Sequence, residues 1–218
     1  MNRRTLLRLS LVTAASLAAA AAGPLAHAGA QAEEQLAPSV VAGLAKAIAD
    51  APVPVDYANR ADIKAWLDEM GRRIAHKVAD DRERRELLTT VHYEATRAGL
   101  DPQLVLAVAY HESGFKKYAI SVAGARGYLQ VMPFWVRLIG TDDHNLFNLR
   151  TNLRYGTVIL RHYLNVESGD YYRALGRYNG SLGRAEYPTA VMAALQRHFA
   201  WTPVGATAAN AVSAQAPR

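Results

Sequence analysis

Glu112 has an unusual setting for an ionisable residue. It follows the run Leu-Val-Leu-Ala-Val-Ala-Tyr-His, residues 104–111, which is nearly all apolar and therefore reads as a buried helix. Asp101-Pro102 starts that helix, with an N-cap acceptor and then proline at the first helical position. Gly114 ends it. Glu112 falls in the last turn, three and four residues after Ala109 and Val108 and seven after Val105, so its own stripe is apolar. The partial negative charge at a helix C-terminus disfavours another anion there. Desolvation by the stripe acts in the same direction. A carboxyl so placed keeps its proton toward neutral pH, which is the tuning a general acid needs to protonate a glycosidic oxygen. Glutamates are mostly solvated surface residues, so the stripe alone leaves both readings open.

Other chemistries find less support. His111-Glu112 begins an HExxH-like string, but Phe115 stands where the second histidine belongs, and no other cluster has metal-ligand spacing. No metal and no cofactor are expected. The chain has no cysteine, which removes disulfides, thiolate metal sites and a cysteine nucleophile together. No Gly-x-Ser-x-Gly elbow or strand–helix alternation suggests a serine hydrolase. Asp142-Asp143, in the string Thr-Asp-Asp-His-Asn, is the nearest candidate acidic pair and reads as a polar turn.

The residues after Glu112 are more specific. Glu112-Ser113-Gly114-Phe115 is followed by Ala119-Ile120-Ser121-Val122-Ala123-Gly124-Ala125, then Gly127-Tyr128-Leu129-Gln130-Val131-Met132-Pro133, and later Arg177-Tyr178-Asn179-Gly180 with Tyr187 and Val191. In order and spacing these strings resemble the transglycosylase domain of the soluble lytic transglycosylases, in the goose-type lysozyme-like superfamily. The resemblance covers about residues 88–200. It implies a mainly helical, lysozyme-like fold with Glu112 as sole catalytic acid/base. Ser113, Ser121 and Gln130 would contact sugar N-acetyl groups or stem peptide, Tyr178 would hydrogen-bond Glu112, Asn179 would hold backbone or substrate, and Tyr187 would line the groove. Tyr128 and Leu129 depart from the Leu and Met of the family's third motif, implying a reshaped groove. Arg177 replaces a small residue and suggests affinity for an acidic group.

The resemblance further implies the reaction. Glu112 would protonate the leaving oxygen of the β-1,4 bond between N-acetylmuramic acid (MurNAc) and N-acetylglucosamine (GlcNAc). As a base it would then accept the C6 hydroxyl proton while a 1,6-anhydro ring closes without water. One carboxyl group suffices for that, whereas ordinary glycosidases generally use two. Two alternatives stay open: a lysozyme-type muramidase using Asp142 or Asp143 to activate water, and a non-catalytic wall-binding partner in an envelope machine.

The elements that must position these residues read as helices throughout, so the fold class expected is all-α with a loop or short hairpin after the catalytic helix. Ile63, Trp66, Leu67, Met70, Ile74 and Val78 form one stripe at three- and four-residue steps. Asp80 with Glu83 resembles a capping box opening a second helix, which carries Leu87, Leu88, Val91 and Ala95 and stops at Gly99. Ala119–Gly127 reads as the loop or hairpin. Helices over 149–166, 170–179 and 188–200 complete the set, with Asp170 as an N-cap and Pro188 as a first helical residue.

The ends carry location signals. Arg3, Arg4 and Arg8 precede an Ala-rich apolar stretch, and Ala26-His27-Ala28 supplies small residues for cleavage, so residues 1–28 read as an export signal of the general or twin-arginine type. The apolar stretch is shorter than the roughly 20 residues of a spanning helix, so no stable membrane anchor is expected. Residues 29–58 read as an Ala/Pro-rich linker with one short helix near Val40 to Ile48, 59–200 as the domain and 201–218 as a disordered tail. The net charge of +6 loses three arginines with the signal and falls to +3, which suits an anionic polymer. Export weighs against nucleic acid, so none is expected; the resemblance implies peptidoglycan glycan strands as the partner, with any protein partner unknown and the location periplasmic or secreted.

Overall fold

The computed structural model describes residues 31–49 and 52–202. The expected export signal lies outside them, as does the tail from residue 203. The described residues are helical, with no β-sheet, as the apolar periodicity requires.

Three helices lead up to Glu112. α2 (Ala61–Ile74) buries Ile63, Trp66, Leu67, Met70 and Ile74, the expected stripe. α3 (Asp81–Arg97) is capped by Asp80, whose carboxylate accepts from Glu83 N at 2.7 Å. Glu83 does not complete the reciprocal half of a capping box, because its carboxylate accepts instead from the Tyr128 hydroxyl at 3.4 Å. α4 (Pro102–Glu112) is capped by Asp101, which accepts from Gln103 N at 2.8 Å. Leu104 through Ala109 are all buried, so α4 is the central helix, and it packs against α3 on one side.

After α4 the chain runs irregularly to Pro133. Ser121 and Ala125 close a tight turn, and Arg126 exchanges two backbone bonds of 3.0 Å with Val131. Phe115 and Gln130 hold positive φ angles of 65° and 46°, which non-glycine residues adopt only when their surroundings force it. Phe115 is wedged edge-on between Tyr110 and Phe199. Gln130 donates from Nε2 to the carbonyls of Gly127 and Ala119 at 2.9 and 3.1 Å.

α5 (Phe134–Ile139) follows, a short helix that the periodicity did not suggest. α6 (Leu149–Val166) is capped by Asn148, which accepts from Thr151 N at 3.1 Å. α7 (Tyr171–Asn179) is capped by Asp170, which accepts from Arg173 N at 3.0 Å. α8 (Glu186–Ala194) begins two residues before Pro188, so that proline sits in the first turn, where its missing N–H still costs nothing. A wide turn, Leu195–Phe199, ends α8.

The segment expected as a linker behaves differently. α1 (Pro38–Ile48) packs on α5 and α6, with Ile48 buried in the core and Val41 and Leu44 against it. Those three residues lie at three- and four-residue steps on the short helix expected near Val40 to Ile48, and they dock it on the domain where a linker was expected. The last carbonyls of α1 accept from arginines: Ala47 from Arg97 at 3.0 Å and Ile48 from Arg154 at 3.2 Å. Both arginines also pair with Glu94, which is wholly buried, through contacts of 2.9–3.2 Å. The folded unit therefore begins ahead of residue 59.

α6 also holds the irregular segment in place. Buried Asn152 accepts from Leu129 N at 2.8 Å and donates to the carbonyls of Arg126 and Leu146 at 2.7 and 2.9 Å. One turn on, Gly156 leaves room for Leu129: a Cβ there would lie 2.4 Å from Leu129 Cδ1 and 3.0 Å from the Tyr178 hydroxyl. The backbone of the Gly127–Met132 motif is thereby fixed against α6.

Candidate active site

Glu112 ends α4 at the rim of the core and is only 5% exposed. Its Oε1 accepts from the Tyr187 hydroxyl at 2.5 Å. Its Oε2 is buried without a well-formed hydrogen bond. Desolvation raises the carboxyl from 4.5 to about 7, opposed in part by Tyr187 and by the Asn179 side chain, both of which favour the charged form. No carboxylate is among the groups that act on it. Near neutral pH such a group populates both states, so it can give up a proton and take one back. With Oε1 held by a phenol, Oε2 is the oxygen left to carry that proton.

Two helices bring the partners. Asn179 is the last residue of α7, and Tyr187 lies in the first turn of α8. The two helices pack against each other, and α8 packs on α4. α7 stops at Gly180, whose φ of 73° lets the chain turn back toward α8. His111, about 100° around α4 from Glu112, bonds through Nε2 to the Ala190 carbonyl at 2.9 Å.

The hydroxyl that reaches Glu112 is thus that of Tyr187, where Tyr178 was expected. Tyr178 is buried and donates to the Leu129 carbonyl at 2.7 Å. Gly156 keeps the adjoining space open, since a Cβ there would lie 3.0 Å from the Tyr178 hydroxyl. Its own ionisation is pushed up by burial first and then by the Glu112 charge, so the two side chains are neighbours all the same.

The remaining expected site residues serve the backbone. Ser113 donates to the Tyr128 carbonyl at 2.8 Å and lies 3.2 Å from the Ala109 carbonyl. Ser121 accepts from Ala125 N at 3.1 Å. Gln130 is tied to Gly127 and Ala119 as described. These three shape the irregular segment that walls the site. Tyr128 turns its ring toward α3, and Leu129 turns inward against Gly156, so neither departure from the motif faces the groove as expected. Asp143 accepts from the Thr141 hydroxyl at 2.6 Å in an exposed turn, which holds its carboxyl below the usual range.

Gln31 packs onto the segment that walls the site and has no counterpart in the sequence reading. It is 4% exposed, and its carboxamide bonds to the Gln130 carbonyl, the Met132 N–H and the Trp135 indole. About a hundred residues separate it from these partners, and no local pattern announces a contact of that range.

Known proteins resemble this chain over the segment that holds these residues. Residues 89–193 match a family model described as Transglycosylase SLT domain, a span holding Glu112, Asn179 and Tyr187. Membrane-bound lytic murein transglycosylase C of Actinobacillus pleuropneumoniae serotype 5b is 34% identical over 95 residues, 43% of this chain and 24% of that protein. The transglycosylase of Enterobacteria phage PRD1 is 31% identical over 98 residues, 45% of this chain and 36% of its own length. Membrane-bound lytic murein transglycosylase C of Mannheimia succiniciproducens is 43% identical over 66 residues, covering 30% of this chain and 17% of the relative. The chain spans about a third or less of the curated relatives it matches.

Proposed function

We propose that this chain, which carries a transglycosylase SLT domain over residues 89–193, is a peptidoglycan lytic transglycosylase with Glu112 as its acid and base. The observation that carries the reading is a buried carboxyl held near neutrality, with a phenol on one oxygen and no second carboxylate acting on it. Protonated Glu112 gives its Oε2 proton to the glycosidic oxygen between MurNAc and GlcNAc, and the C1–O bond breaks. The substrate's own acetamido group stabilises the electron-poor C1. Glu112, now a carboxylate favoured by Tyr187 and Asn179, takes the C6 hydroxyl proton as O6 bonds to C1. The product is 1,6-anhydroMurNAc, Glu112 is reprotonated, and no water is consumed. Hydrolysis would call for a base to activate water, usually a second carboxylate.

Tyr187 and Asn179 contact the acid directly in this scheme. Tyr178 acts as a positioning residue that fixes the wall at Leu129, and Ser113, Ser121 and Gln130 set the shape of that wall. A periplasmic or secreted location fits a wall substrate and the export pattern of residues 1–28. No described helix is long and apolar enough to cross a membrane.

Digesting purified sacculi with the protein and with Glu112→Gln tests the scheme. Mass spectrometry should find released muropeptides one water lighter than the reducing sugars, and none with the variant. Reducing-end products would mean a hydrolase and redirect attention to Asp142 and Asp143. Binding to sacculi without release by either form would overturn the enzymatic reading in favour of a wall-binding role.

A further inference from the structure

Residues 31–37, Gln-Ala-Glu-Glu-Gln-Leu-Ala, form no regular element, and only Gln31 and Leu36 turn inward. A glutamine side chain is seldom buried, and then only with its hydrogen bonds met. Gln31 meets them on the Gln130–Trp135 stretch, next to the Leu129 carbonyl that takes the Tyr178 hydroxyl. Its Oε1 accepts from the Trp135 indole at 3.0 Å and from Met132 N at 3.4 Å, and its Nε2 donates to the Gln130 carbonyl at 3.4 Å. Its carboxamide also lies in hydrogen-bond reach of Tyr178, which in turn neighbours Glu112.

The wall thus offers two N–H donors and a carbonyl acceptor, Gln130 and Met132 from the motif and Trp135 from α5, an arrangement complementary to an amide. The glycan of the proposed function bears an amide on every sugar, as an acetamido group with one carbonyl and one N–H. The strap carries acidic residues over the same surface. Glu34 pairs with Arg177 at 3.0 Å, the cation whose sequence position suggested affinity for an acidic group, and Glu33 lies 3.6 Å from Arg137.

We propose that the segment from Gln31 to Leu36 is a self-occupant of the glycan groove, with the Gln31 carboxamide filling the place of a substrate acetamido group, so that the strap must leave before the glycan binds. This inference rests on the proposed function. The attachment suits a removable element. Both ion pairs are partly exposed, a class that contributes little and is screened by salt. Ala37, in the extended conformation that precedes a proline, joins the strap to α1, which is fixed by Arg97 and Arg154. Opening therefore breaks the Gln31 bonds and two surface pairs and withdraws half-buried Leu36 from the edge of the core, while the packing of α1 itself stays intact.

Two variants of the full chain test this: Gln31→Ala, which empties the amide site, and the surface double variant Glu33→Lys/Glu34→Lys, which turns both ion pairs into repulsions. A competing occupant lowers apparent affinity by the fraction of time it is bound, so KM on uncrosslinked glycan strands should fall about fivefold while kcat stays within about twofold. In a Glu112→Gln background, calorimetric binding of an N-acetylglucosamine hexamer should tighten by a similar factor. That arm needs no turnover, so it judges the strap even if the unaltered chain cleaves nothing. A fall in kcat at constant KM would make Gln31 part of the working wall and overturn the proposal. Unchanged affinity in both variants, with melting by circular dichroism showing them folded, would overturn it equally.

Discussion

Replacing Glu112 by glutamine should change stability in a pH-dependent way, and the direction follows from the geometry. The substitution keeps the size and the acceptor facing Tyr187 but removes the charge. Burial places the native carboxyl at about 7, against 4.5 without burial. Below about 4.5 the group is protonated in both folded and unfolded chains, and its preference for the folded, neutral form is fully present. Between about 4.5 and 7 the unfolded chain releases the proton while the folded one retains it, so stability falls with rising pH. Above about 7 the buried group is ionised in both states and the loss is complete. At about 1.4 kcal/mol per unit the displacement amounts to about 3 kcal/mol. Glutamine cannot titrate, so the stability difference between variant and parent should swing in the variant's favour by that amount from acid to alkaline pH. For a chain of this size it corresponds to about 6–12 °C in Tm. Urea unfolding of both proteins, followed by circular dichroism across the range, reads the difference, and the other titrations cancel. Parallel stability curves would refute the reasoning, because they would mean that the carboxyl ionises at no desolvation cost.

Three further outcomes are expected. Tyr187→Phe removes a hydrogen bond that favours the charged carboxylate, so the alkaline limb of the pH–rate profile should move up by about one unit or more; an unmoved limb would detach Tyr187 from the acid. Gly156→Ala would drive a methyl to 2.4 Å from Leu129 Cδ1, costing about 1–3 kcal/mol in urea unfolding and weakening glycan cleavage through the displaced wall. Glu94→Ala leaves buried Arg154 beside Arg97 without their shared carboxylate, and a loss of about 3–5 kcal/mol by thermal melting should follow.

Much of this protein is legible in its sequence because the relevant physics is local. Helical stripes on α2, α3 and α4, the caps at Asp80, Asp101 and Asp170, and the apolar setting of Glu112 depend on neighbours within a few residues. The periods of a helix convert those neighbours directly into faces. The raised carboxyl was therefore expected from a helix end and an apolar stripe. The motif strings after Glu112 identified the segment that walls the site.

Tertiary structure decided which side chains meet across the site. Tyr178 and Tyr187 are both tyrosines downstream of the acid, and nothing in their immediate sequence says which hydroxyl reaches Glu112. The packing of α8 on α4 delivers Tyr187, while the opening left by Gly156 lets Tyr178 reach the Leu129 carbonyl. Ser113, Ser121 and Gln130 carry polar groups that look available in a string of letters. In the fold they satisfy the backbone of a segment with positive φ angles at Phe115 and Gln130 and little regular pairing. The same holds for α1 and Gln31. An Ala-rich stretch with a three-residue stripe reads as a linker until Arg97, Arg154 and the Gln130–Trp135 wall supply partners from 50 to about 100 residues away. Periodicity encodes the face a residue presents, but contacts of that range depend on how whole helices dock, and docking is set by the summed burial of many faces at once.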